Sequence, residues 1–129
     1  MEKEFIPYEE ALALKELGFD GDYLGLYVKN QVELLVGNNF GELGMYDIKA
    51  PLYQQAFRWF REKHNMLSFI EPANGVSDKC MFGFYITDDE QSIIWSGNDF
   101  TKNISKHLKS YEEAELACLK KLIEIVKKK

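Results

Sequence analysis

Histidine, cysteine and proline are scarce in this chain: its 129 residues include two His, two Cys and three Pro. A structural zinc centre needs four Cys or His side chains at workable spacing, and His64, His107, Cys80 and Cys118 are too scattered to supply one. The same scatter, with no recognisable flanking motif, argues against a Cys–His nucleophile. Cys80 falls in an expected strand and Cys118 on the apolar face of an expected helix, where reduced thiols act as small hydrophobes. Reduced cysteines are therefore favoured over a bridge between them. No catalytic, metal-ligating or cofactor-binding residue is assigned, and no cofactor is expected. No apolar run approaches membrane-spanning length, and the charged opening Met1-Glu2-Lys3-Glu4 is unlike a signal peptide. These absences lead to the expectation of a soluble, cytoplasmic protein with no membrane partner.

Basic charge is also in short supply, with a net charge of −5. Its distribution is uneven: residues 1–50 carry four Lys against ten Asp and Glu, and residues 101–129 carry eight Lys against four Glu. The terminal run Lys127-Lys128-Lys129 reads as the complement of a helix C-terminal dipole. A basic patch would require Lys102, Lys106 and Lys109 to converge with that tail. The loop Gly37 to Gly44 is rich in glycine and asparagine and continues irregularly to Ala50, yet no Gly-Lys-Ser/Thr follows and Glu42 and Asp47 place negative charge in it. It does not fit a phosphate cradle and reads as a mobile surface loop.

What the chain does have is apolar periodicity: nearly half of it is hydrophobic, enough for one core without metal or disulfide staples. The clearest element is a last helix from Ser110 to about Lys128. Ser110 is a suitable N-cap with Glu113 three residues on, and Tyr111, Ala114, Cys118, Leu119, Leu122, Ile125 and Val126 share one face. A first helix opens at Ile6-Pro7-Tyr8, runs through Leu12, Leu14 and Leu17, and stops at Gly18. Tyr23–Lys29 and Val32–Val36 read as a β-hairpin. Pro51 begins a second helix with Leu52, Tyr53, Ala56, Phe57 and Phe60 inward, Trp59 half-exposed at the edge of the stripe, and His64 near its end. Three strands follow at Met66–Ile70, Cys80–Thr87 and Gln91–Trp95, with turns around Asn74-Gly75 and Asp88-Asp89-Glu90. The polar stretch Gly97–Lys109 is expected to carry a helical turn around Ile104–Leu108. The expected fold is a single α+β domain over residues 1–129: an antiparallel sheet of four to five strands with three main helices, in the order α-β-β-α-β-β-β-α.

All three helices open alike, at Tyr8-Glu9-Glu10-Ala11, Tyr53-Gln54-Gln55-Ala56 and Tyr111-Glu112-Glu113-Ala114. Convergence on good helix starts explains this more simply than duplication, because the strands show no matching echo. Glu115 breaks the apolar stripe of the last helix, which makes it a solvated first-turn residue, a buried acid paired with Arg58 or Lys79, or a functional acid with a raised pKa.

From Pro51 onward the order α-β-β-β-α resembles that of double-stranded-RNA-binding domains in topology alone. The acidic start of the last helix, where such domains carry basic residues, departs from that pattern. The segments Phe5–Phe19, Ala50–Lys63 and Tyr111–Lys127, about a third of the chain, resemble a family of short proteins from phages and prophage-like elements of gut bacteria. That resemblance implies a mobile-element origin and carries over no activity and no site residues.

The favoured functional expectation is a non-enzymatic binding protein with a host- or element-encoded protein partner, held through the aromatics Trp59, Tyr23, Tyr27, Tyr85 and Trp95. One alternative is nucleic-acid binding through Arg58, Arg61, Lys102, Lys106 and Lys109. A second is a small enzyme with a pocket near Glu115 and His64.

Overall fold

The computed structural model describes residues 4–28, 33–37, 40–41, 43–44, 47–73, 81–90, 92–96 and 110–129. The chain runs α1 (Tyr8–Glu16), β1 (Gly25–Val28), β2 (Glu33–Val36), β3 (Ile48–Ala50), α2 (Tyr53–His64), β4 (Leu67–Ala73), β5 (Met81–Thr87), β6 (Ile93–Ser96) and α3 (Tyr111–Lys127). The α+β class and the three helices are as the sequence pattern predicts.

The strands depart from expectation in number and grouping. Among the described residues, six of them form two three-stranded antiparallel sheets, ordered β2-β1-β3 and β4-β5-β6. The additional strand, β3, lies in the stretch read as irregular loop, where Ile48 pairs with Tyr27 and Ala50 with Gly25. Three residues with the burial pattern in–half–in are too few to show a period of two in sequence. The sheets separate because β3 returns to β1, after which α2 intervenes and packs on β4 and α3.

Helix ends follow local chemistry. At the end of α1, Gly18 takes φ +83° while its N–H donates to Lys15 O at 3.0 Å and that of Phe19 to Leu14 O at 3.0 Å, a left-handed cap of the kind glycine permits. Asn65 does the same for α2 at φ 55°. Ser110 caps α3, its Oγ accepting from the Glu113 N–H at 3.1 Å. Both prolines sit earlier than expected, Pro7 by one step as the N-cap of α1 and Pro51 by two, preceding the N-cap Leu52 of α2.

One core joins the elements. Leu119, Leu122 and Cys118 of α3, Phe60 and Ala56 of α2, Leu14 of α1, and Met66, Phe84 and Ile86 around the second sheet are all buried within it. Two details of the helix faces differ from the projection: Tyr111 is 46% exposed, and Ile123 is buried in place of a fully inward Ile125 and Val126. The N-terminal segment is clasped to α2 by the Ile6 N–H donating to Pro51 O at 3.1 Å. The Phe5 ring lies so close over Gly25 that a Cβ there would come within 2.7 Å of it.

Candidate interaction surface

Strand alternation decides which side chains the second sheet offers to its surroundings. In β5, Phe84 and Ile86 point to the core beneath α3, and Phe82 meets Tyr111 of α3 edge-on with ring centres 6.0 Å apart. Cys118 of α3 shares a hydrogen bond with Ser68, which pairs with Ile86 across β4–β5. The intervening residues therefore face away from the helix. On that outer face Phe69 pairs directly with Tyr85, their rings stacked at 4.9 Å and 16°. Phe69 is 39% exposed, and Ile94, on the edge strand β6 two strands away, is 42% exposed. Such a cross-strand aromatic pair has a rigid, largely apolar surface, with the Tyr85 hydroxyl as a polar handle. Glu71, two residues after Phe69, shares this face and is exposed.

Of the other sequence-selected aromatics, Trp59, Tyr23 and Tyr27 do not join this surface. Trp59 is a correction to the expected half-exposed position: it is 5% exposed, packed edge-on against Phe19 and Phe60, and its Nε1–H donates to Asp20 Oδ1 at 2.7 Å. The indole is drawn inward because the turn after α1 brings both an aromatic neighbour and an acceptor to it. Tyr23 is half-buried on Phe40 with Lys49 above its ring, and Tyr27 is half-buried with its hydroxyl donating to Ile6 O at 2.8 Å. Trp95 lies in β6 opposite Ile86, and its side chain is outside the described residues. Phe69 and Ile94 were missed by sequence reasoning; the alternation of β4 carries the signal for Phe69.

The basic residues of the nucleic-acid alternative do not form a strip in the described part of the chain. Arg58 donates from Nε to Glu62 Oε1 at 2.8 Å, and Asp22 lies near enough to favour its charged form further. Arg61 is exposed on α2. Lys102, Lys106 and Lys109 lie outside the described residues, as do Lys79, Cys80, the Asn74-Gly75 turn and the expected turn at 104–108.

Glu115 and His64 are not neighbours. Glu115 is half-buried near the start of α3, its carboxyl pushed above the usual range by burial and then by Glu112 and Glu4. It feels Tyr53 at the start of α2, whose phenol is pushed up to about 12 by burial, Glu115 and Glu10. Arg58, engaged by Glu62, does not act as its partner. His64 stands at the other end of α2, near Lys129, and its pKa is lowered by burial and then by Lys129 and Lys63. Its ring packs edge-on to Trp59 at 4.9 Å, and its Nε2 is buried without a hydrogen-bond partner among the described residues. Two clefts, of about 270 and 330 Å³, are lined by other residues and include neither Glu115 nor His64. Among the described residues, no group of three or more His, Cys, Asp or Glu side chains converges as a metal site would require, and no helix is long and apolar enough to cross a membrane.

Comparison with protein-family models, curated proteins and solved structures finds no match. The fold and this surface define an α+β domain in which the face of the second sheet turned away from α3 carries an aromatic stack, with Phe69 exposed and Tyr85 half-buried.

Proposed function

We propose that this chain is a non-enzymatic binding protein that holds a protein partner against the outer face of β4–β5–β6, as a cytoplasmic accessory of a mobile element acting on a host- or element-encoded protein. The observation that carries the reading is the Phe69–Tyr85 stack, exposed on the sheet face that α3 does not cover. Large rigid aromatics lose little conformational entropy on contact and anchor interfaces disproportionately. A protein is favoured over nucleic acid because Glu71 sits on the same face, the chain is acidic, and Arg58 is tied to Glu62.

The test is capture from host lysate by tagged protein, with and without nuclease and at low and high salt, comparing wild type with Phe69→Ser and with Leu12→Ser as an exposed control on α1. A defined protein that survives nuclease and high salt, and is lost with Phe69→Ser alone, supports the reading. Retention by Phe69→Ser removes this face as the site. Recovery of nucleic acid that is lost at high salt puts the nucleic-acid alternative in its place.

A further inference from the structure

The strands at the sheet edges differ in how they are closed. β4 carries Pro72, a residue with no N–H to offer a further strand. β3 has α1 packed against it, and Ile6 and Phe5 join Pro51 and Leu52 just past its end. β2 has neither protection: it is the outer strand of the β2-β1-β3 sheet, its sequence Glu33-Leu34-Leu35-Val36 holds no proline or lysine, and among the described residues no strand pairs with its far side. Leu35 is 40% exposed and Val36 53%, and the two lie on opposite faces of the sheet. The hydrogen-bond phase of this edge is set by the contact next to it, in which the Gly37 N–H donates to Leu24 O at 2.8 Å. Backbone groups alternate in direction along a strand, so the N–H and C=O of Leu35 turn to β1, and those of Leu34 and Val36 turn to the open edge.

We propose that β2 is a self-association edge: a second copy of this chain adds its own β2 antiparallel, joining the two β2-β1-β3 sheets into one across a two-fold axis at Leu35. The register follows from the backbone phase. Outward-turned residues must face one another, and of the registers that achieve this, the one centred on Leu35 keeps all three aliphatic residues in contact. Leu34 then pairs with Val36 of the second copy and Val36 with its Leu34, each pair exchanging two N–H···O bonds on one face of the sheet. Leu35 stands opposite its own counterpart on the other face. Glu33 falls opposite Gly37, so this acidic chain meets its copy with no two like charges in register. An identical strand thus supplies the complement of every position, the isologous arrangement that a two-fold dimer requires. A four-residue edge buries little area, so the dimer is weak and concentration-dependent. It lies on the first sheet and does not rest on the outer face of β4–β5–β6.

Amide hydrogen exchange of the full-length, ¹⁵N-labelled protein at low and high concentration, read beside its sedimentation, tests the edge in the wild-type chain. The amides of Leu34 and Val36 should gain protection by about tenfold or more as the dimer forms, while that of Leu35, already turned to β1, changes little. Added salt should strengthen the association, because it screens two copies of net charge −5 from each other. Leu35→Lys sets two ammonium groups face to face on the axis and should weaken the dimer by about tenfold or more, whereas Leu35→Ile retains it. Because the exchange readout uses the wild type, it remains decisive if the lysine variant fails to fold. A chain that stays monomeric at the highest concentration and salt, a dimer in which Leu34 and Val36 exchange as they do in the monomer, or a dimer undiminished in folded Leu35→Lys overturns the proposal. A dimer lost with Phe69→Ser but unprotected in β2 overturns it as well and assigns self-association to the second sheet.

Discussion

The Trp59 indole and the Asp20 carboxylate, 39 positions apart in the chain, are joined by an N–H···O bond of 2.7 Å that ties the turn after α1 to the middle of α2. Asp20 uses its second oxygen to accept from Lys63 Nζ at 2.9 Å. These contacts hold its carboxyl below the usual range, the Lys63 bond first and the Trp59 bond second. Asp20→Ala leaves a buried indole N–H without its acceptor, whereas Lys63→Met removes only a solvated ion pair. Thermal melts should show Tm lowered by about 3–5 °C for the first and hardly at all for the second. Since the folded pKa of Asp20 is depressed, its contribution is present above the unfolded value and is lost as pH falls through the folded one.

Phe60 is fully buried where α2 meets the core. Phe60→Ala should cost about 3–5 kcal/mol, a large part of the total stability of a domain this size. Chemical denaturation should show either a much lower midpoint or no folded baseline. Phe69→Ser, on the exposed face, should shift the midpoint far less, which allows the binding test above to be read without a folding artefact.

Carboxyls on α1 and α3 bias stability toward acid. Glu10, 8% exposed, is raised by burial against the lowering effect of Lys120, and Glu115 is raised by burial and neighbouring carboxylates. A raised folded pKa means that stability is fully present below the unfolded value and is lost as pH rises through the folded one. Glu10→Gln should therefore raise Tm at pH 7–8 and leave it little changed near pH 4. The phenol of Tyr53, pushed up to about 12, adds an alkaline limb between its ordinary value and that figure, which Tyr53→Phe should remove.

His64 acts in the opposite sense. Its lowered pKa makes its contribution present above the unfolded value and lost as pH falls through the folded one. Protonation would leave a cation near Lys63 and Lys129 on a ring whose Nε2 has no acceptor among the described residues. His64→Gln should flatten the fall in Tm on the acid side of neutrality, measured against wild type across pH 5–7.

The Cys118 thiol is fully buried and pushed up to about 12 by that burial, a hydrogen bond with Ser68 opposing the shift. It should resist alkylation at pH 8 in the native protein and react only on unfolding, as peptide mass mapping would show. Modification of Cys118 at the rate of a free thiol under native conditions would contradict the packing of α3 on the second sheet.

The helix openings show how far local sequence reaches. Tyr8, Tyr53 and Tyr111 are each the first helical residue, and Ala11, Ala56 and Ala114 three positions on are all buried, as the repeated pattern predicts. The third helical residue has different fates in α1 and α2. Gln55 reaches back to accept from the Leu52 N–H at 2.9 Å, but Glu10 has no such donor at Pro7 and is buried instead. The cap residue, one position before the repeat, supplies the N–H in α2 and lacks it in α1.

By itself the sequence determined the α+β class, the three helices, the cap residues Gly18 and Ser110, and most of the strands, because capping and periodicity act over a few residues. Only the tertiary structure decided that β3 returns to β1, that Trp59 turns inward to Asp20, and that Phe69 and Tyr85 share the face turned away from α3. Those outcomes depend on which distant surface each element packs against, and that choice is made by the whole core at once rather than by neighbours along the chain.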